Sequence, residues 1–228
     1  LAMIAVQGPQ ARDKVHALLP VVAVEELQAI KPFTAVEHSN MFIARTGYTG
    51  EDGYEISVPN DMAESFPRKL LAHRDVALAG LGARDSLRLE AGLCLYGHEI
   101  DEETTPAEAD LMWSVPKRRR EEKNFPGAEK ILAQAEEGTQ KKRVGIRPQG
   151  KAPARDGTEI VDGDGNVIGK VTSGGFGPTV RSPVAMGYVT AEFAADDTEV
   201  SLMVRGQPRP AKIAALPFVE PRQYRPGK

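Results

Sequence analysis

A single cysteine, Cys94, occurs in the 228 residues, so no internal disulfide can form. That scarcity points to a reducing compartment. Flanked by Leu93, Leu95 and Tyr96, Cys94 reads as a small buried hydrophobe. Histidine is also sparse. His16, His38, His73 and His98 lack ligand-like spacing with one another or with Cys94, so no zinc site is expected. Long apolar runs are missing: the stretches 18–24 and 76–81 are far short of the roughly 20 residues that span a bilayer. Neither sign of charge dominates, and a net charge of −3 gives no global attraction to nucleic acid or an anionic membrane. The first residues resemble neither a secretory signal nor an Arg-rich transit segment. No Ser-His-Asp set, internal repeat or low-complexity tract stands out.

What is present is the composition of a folded domain, 41% hydrophobic and 27% charged. The length suits one large domain or two ordinary ones. The chain opens on Leu-Ala-Met-Ile-Ala-Val-Gln-Gly, inside an apparent strand, and the expectation is a fragment of a longer product. Strands are predicted at 3–6, 41–44 and 54–58, the last alternating Tyr, Ile and Val with Glu and Ser. Helices are predicted at 11–19, 24–30, 66–73 and 83–91. Residues 101–116 read as a loop, 117–123 as a charged connector and 128–137 as a short helix. From Lys142 the texture changes to short strands at 143–146, 159–161, 167–172, 184–190, 199–204 and 212–216, separated by Gly, Pro and Asp turns. The fold class is therefore α+β: an antiparallel sheet with flanking helices over 1–138, then a small antiparallel barrel or sandwich over 139–228.

The Gly-rich connection from Thr46 to Gly53 is no phosphate loop, because it lacks Gly-Lys-Ser/Thr and leads into a strand. Glu51 and Asp52 at its turn read as solvated tip residues. Glu55 lies within the strand. It is either a plain surface residue or a carboxylate whose two oxygens accept from adjacent N–H donors of a planar heterocycle. In the predicted helix at 83–91, Arg84 and Arg88 share a face. They suit a carboxylate ligand, an ion pair with a strand carboxylate such as Glu55, or a structural salt bridge. Glu90 reads as a partner for Arg88 or for solvent, and Met112 and Trp113 as anchors of the connector. The run Lys117–Arg120 is followed at once by Glu121 and Glu122, which favours a solvated connector over a nucleic-acid patch.

Four segments carry a specific resemblance: Arg45-Thr-Gly-Tyr-Thr-Gly-Glu-Asp-Gly-Tyr-Glu-Ile56, the stretch 82–97, Lys117-Arg-Arg-Arg with Phe125-Pro-Gly127, and Val184-Ala-Met-Gly-Tyr-Val189. Val171-Thr-Ser-Gly174 fits as well. In order and spacing the chain resembles glycine-cleavage T-proteins, which are aminomethyltransferases, over nearly its whole length. The resemblance implies a folate-binding region in 1–138 and a C-terminal β-barrel in 139–228. It implies tetrahydrofolate as cosubstrate without a metal, and lipoylated H-protein as partner, with no nucleic acid and no membrane. The implied location is bacterial cytoplasm or the mitochondrial matrix. Carried over residue by residue, Tyr48, Glu55 and Arg84 match folate-site positions, with Glu55 facing a pterin and Arg84 expected in the same cavity. Arg143 matches a basic position near that site, its other reading being a charged strand edge. Tyr224 matches a C-terminal tyrosine that reaches toward folate. The family's critical aspartate is expected upstream of Leu1, which leaves the catalytic residue outside this chain. Lys117–Arg120 then gains a third reading, as a docking patch for acidic H-protein. Folate-dependent demethylases, the folate domains of dimethylglycine or sarcosine dehydrogenases, and a non-catalytic folate-binding protein are the alternatives on the same scaffold.

Overall fold

A computed structural model describes residues 1–222 of the chain. Tyr224 lies outside the described residues. The chain forms two compact units, one of Leu1–Arg88 joined by the segment from Glu220, the other of Leu89–Val219.

The first unit is built on four antiparallel strands: β1 (Ala2–Gln7), β2 (Ala35–His38), β3 (Met41–Ala44) and β4 (Gly53–Val58), in the order β1-β4-β3-β2. Alternation along β4 decides what each face does. Tyr54, Ile56 and Val58 are buried while Glu55 and Ser57 are half-buried, because successive side chains leave a strand on opposite faces. The register pairs Ile4 with Ile56 and Val6 with Tyr54 on the core face, and Ala5 with Glu55 on the other. Three short helices cover the core face: α1 (Ala11–His16), α2 (Val21–Ala29) and α3 (Ser65–Leu71). They bring Val15, Leu27, Phe66 and Leu70 onto Ile43, Tyr54 and Ile56. Each such side chain taken fully from water contributes about 1.5–3 kcal/mol. The Tyr54 hydroxyl is satisfied within this core, accepting from Arg12 Nε at 3.0 Å and meeting His16 Nε2 at 2.9 Å. Burial, reinforced by the Arg12 charge, pushes the His16 pKa below its ordinary value. On the opposite face Met3 and Phe42 remain 71% and 51% exposed.

The first unit's main run ends at Arg88, within the helix α4 (Leu81–Glu90). In the second, α5 (Lys117–Glu122) and α6 (Ala128–Glu137) precede β5 (Lys141–Pro148), β6 (Glu159–Val161), β7 (Val167–Gly177), β8 (Ser182–Thr190), β9 (Glu199–Val204) and β10 (Gln207–Ala214). These six strands close a barrel in the order β10-β5-β8-β7-β6-β9, which leaves no sheet edge. Val144, Ile146, Ile160, Val171, Leu202 and Ile213 fill it. The barrel expectation holds, and the sandwich alternative does not.

Several local expectations are corrected. The connector 117–122 is helical, stabilised by Lys117–Glu121 and Arg118–Glu122 pairs at i,i+4 spacing. Trp113, expected to anchor the connector against the core, is instead 74% exposed. Glu90, expected to meet Arg88 or solvent, is 2% exposed and accepts the backbone N–H groups of Thr179 and Val180 at 2.7 and 2.9 Å. The compact unit holding the barrel also takes in residues 89–138, with Glu90, Glu99 and Arg143 tying the 89–110 stretch to the barrel strands, which themselves begin at Lys141 beside the texture change near 139.

Candidate functional site

The loop between β3 and β4 carries Tyr48, and β4 carries Glu55 on its non-core face. The loop is pinned at its base by an ion pair. Arg45, 3% exposed, donates from Nε and Nη2 to the two oxygens of Asp52, at 3.1 and 2.7 Å. Arg45 Nη1 also donates to the Ile30 carbonyl at 3.0 Å. Burial alone would raise the Asp52 pKa. The hydrogen bond and charge of Arg45, with the Gly53 N–H and the Arg12 charge, outweigh it and hold the carboxyl below the ordinary 3.8. Asp52 is thus a structural anchor of the loop and not a solvated tip. The sequence pattern did not show this pair, although both residues lie in the quoted motif, seven positions apart. Glu51 is also drawn in, with Oε1 3.4 Å from Arg222 Nη1 and Oε2 buried.

Above that base, the guanidinium of Arg84 stacks on the Tyr48 ring, 4.7 Å from its centroid. Stacking of this kind is worth roughly 0.5–1 kcal/mol at an exposed site and fixes the plane of the guanidinium. Arg88, one turn on, is instead buried and donates to Asp85 at 2.8–2.9 Å. The structural salt bridge expected of the two arginines is therefore made by Arg88 alone. Glu55 Oε2 accepts from the Thr46 hydroxyl at 2.5 Å. Among the described residues no ion pair joins Glu55 to Arg84.

A cavity of about 740 Å³ opens along β1 and the start of α4, lined by Gln7, Thr49, Arg84 and by apolar residues including Val6, Leu70 and Leu81. Glu55 is not part of its lining, so the cavity takes Arg84 and not the pair. Gln7, on the same sheet face as Glu55, lines the cavity and also contacts the Glu55 loop. The candidate group therefore has two parts, the Arg84–Tyr48 stack and Glu55 held by Thr46, and Gln7 contacts both Thr46 and Thr49. That set suits a flat, hydrogen-bonding heterocycle. Among the described residues no group of His, Cys, Asp and Glu could hold a metal ion, and no helix is long and apolar enough to cross a membrane.

Arg143 belongs to the second unit and is not a charged strand edge. It is buried in β5, donating from Nε to the Ala109 carbonyl at 2.7 Å and from Nη1 to the Gly92 carbonyl at 2.8 Å. Nearby, the Tyr188 hydroxyl donates to the Glu99 carbonyl at 2.7 Å, and burial drives its pKa upward.

Comparison with known proteins agrees with the motif reading. The GCVT N-terminal domain family matches residues 1–119, and the glycine cleavage T-protein C-terminal barrel domain matches 141–220. The chain is 43% identical over 231 residues to the mitochondrial aminomethyltransferase of Solanum tuberosum, covering 99% of this chain and 56% of that protein. It is 42% identical to a probable mitochondrial aminomethyltransferase of Schizosaccharomyces pombe, covering 98% of this chain and 58% of the relative. The crystal structure of glycine cleavage system aminomethyltransferase T from Bartonella henselae superposes with a TM-score of 0.91 at 44% identity, covering 98% of this chain and 61% of that one. The chain spans a little over half the length of the curated relatives it matches. On the matched domains, which together take in most of its residues, the chain belongs to the glycine cleavage T-protein family.

Proposed function

We propose that the complete gene product is a tetrahydrofolate-dependent aminomethyltransferase of glycine cleavage. Aminomethyl-lipoyl H-protein supplies the one-carbon unit. The S–CH2 and CH2–N bonds of its arm both break, the carbon forms new bonds to N5 and N10 of tetrahydrofolate, and the two displaced protons leave one on the dihydrolipoyl thiol and one on ammonia. Most of the acceleration in such a transfer comes from placing folate nitrogen beside the arm's carbon and from managing charge as ammonia departs.

What supports this reading is the Arg84–Tyr48 stack and the Thr46-held Glu55, in a chain of a family that includes proteins named aminomethyltransferase. Glu55 spends one acceptor position on Thr46 and keeps the others for the N3–H and 2-amino group of a pterin. Tyr48 and Arg84, stacked on each other, offer a flat wall. Arg143 and Tyr224 enter the proposal by resemblance alone. The proposed location follows the mitochondrial relatives or a bacterial cytoplasm.

The test is turnover by the complete gene product given aminomethylated H-protein and tetrahydrofolate. Formation of 5,10-methylenetetrahydrofolate is expected. Its absence rejects the proposal, and one-carbon transfer from dimethylglycine or sarcosine instead supports the demethylase relatives. Glu55→Ala should weaken tetrahydrofolate binding by about 1–3 kcal/mol, the cost of hydrogen bonds lost by a charged acceptor. Unchanged affinity removes Glu55 from the site.

A further inference from the structure

Gln7 ends β1, and its carboxamide reaches across to both ends of the loop that bears Tyr48. Nε2 donates to the Thr46 carbonyl at 3.1 Å and to the Tyr54 carbonyl at 3.3 Å, and Oε1 accepts from the Thr49 hydroxyl at 3.1 Å. Two partners are carbonyls, which only accept, so the amide can be oriented in one way alone. Its two N–H groups close the loop's base at residues 46 and 54, and its oxygen holds the middle at residue 49. Tyr48 sits between two of these points, and Glu55 follows the third.

Thr46 extends the connection, because its hydroxyl donates to Glu55 Oε2. The chain of contacts therefore runs from Gln7 to Thr46 to Glu55 on one side, and from Gln7 to Thr49 beside Tyr48 on the other. The fit is close: a Cβ at Gly47 would overlap the Gln7 carboxamide, so only glycine leaves the amide room in this position. A brace of this kind reduces the conformational freedom of the loop that bears Tyr48, and so raises affinity by lowering the ordering cost of binding.

We infer that Gln7 is a positioning residue for the candidate site, setting the geometry of Glu55 through Thr46 and of Tyr48 through Thr49. This rests on the proposal that Glu55 and Tyr48 meet tetrahydrofolate.

The experiment is a double-mutant cycle in the complete gene product, with tetrahydrofolate affinity and thermal midpoint measured for Gln7→Ala, Glu55→Ala and the double variant. Gln7→Ala is expected to weaken affinity about tenfold, roughly 1.4 kcal/mol. In the Glu55→Ala background the same change should cost markedly less, since Gln7 would have less left to position. Additive losses would mean that Gln7 acts without Glu55, and would overturn the inference, as would unchanged affinity in Gln7→Ala. If Glu55→Ala itself leaves affinity unchanged, the folate reading of the site fails first, which separates the two failures. Should Gln7→Ala not fold, Thr46→Val probes the next contact in the chain. It keeps the side-chain shape but loses the hydroxyl, and weaker binding restored by Thr46→Ser is expected. No loss in Thr46→Val, or loss without rescue by serine, would likewise contradict the inference.

Discussion

The buried pair Arg45–Asp52 shows how much of this site depends on one contact. Its two hydrogen bonds close the loop that presents Tyr48, and the pair is nearly removed from solvent on the arginine side. Taking the charge from Asp52 would remove the carboxylate that faces Nε and Nη2 of a buried guanidinium. Asp52→Asn is expected to lower stability by about 3 kcal/mol, measured by urea unfolding at neutral pH. The pH dependence has a definite sign. The folded-state pKa of Asp52 is depressed, so the unfolded chain binds the proton more readily. The stabilisation is complete above the ordinary carboxylate value of 3.8 and is lost as pH falls through the lower folded value. The stability gap between wild type and Asp52→Asn should therefore narrow below about pH 4. A gap that is constant from pH 6 to pH 3 would show that the pair contributes nothing through ionisation.

At the scale of elements, regular periodicity was legible and exceptions were not. β4, β6, β9 and α6 follow the sequence closely because their apolar residues recur with the right spacing and turn formers bound them. β10 runs Gln207–Ala214, whereas pattern reading starts it at Lys212. Pro208 and Pro210 lie in the missed half, and proline argues against a strand unless the lost N–H faces away from a ladder. Here it costs little because the closed barrel still pairs Ala211 and its neighbours on both sides. β2 was missed because Ala-Val-Glu-His is too short to show a period. Tyr48, Glu55 and Arg84 were recoverable through the family motifs. Gln7 and the Arg45–Asp52 pair needed the register of β1 on β4, a non-local fact. That register also gives a prediction. Gly53 lies opposite Gln7, and a Cβ there would meet the Val6 carbonyl. Gly53→Ala should destabilise the β1–β4 ladder by about 1–3 kcal/mol, the range of overpacking, seen as faster amide exchange in both strands. Unaltered protection would show that the ladder tolerates the methyl group.

Across the whole molecule, the chain forms two compact units, and each can be probed by itself. The unit beginning at Leu89 is tied together by polar contacts that composition could not reveal. Arg143 bonds to the Ala109 and Gly92 carbonyls, while Glu99 receives the Thr172 hydroxyl at 2.7 Å and the Leu95 N–H at 2.9 Å. Such groups look like surface charges in a sequence, yet they are buried because backbone partners surround them. Arg143→Ala would strand two carbonyls and is expected to cost about 3 kcal/mol. Hydrogen exchange should quicken over the barrel and residues 89–110 while protection of β1, β3 and β4 is kept. Equal loss of protection in β1–β4 would contradict the separate cohesion of the two units.

The central claim is that the segment from Arg45 to Ile56 presents its carboxylate to a pterin. A crystal structure of the complete gene product with tetrahydrofolate tests it most directly. The Glu55 carboxylate is expected within hydrogen-bond distance of both N3 and the 2-amino group, with the Thr46 contact retained. A pterin bound elsewhere, with Glu55 touching only Thr46, would contradict the account.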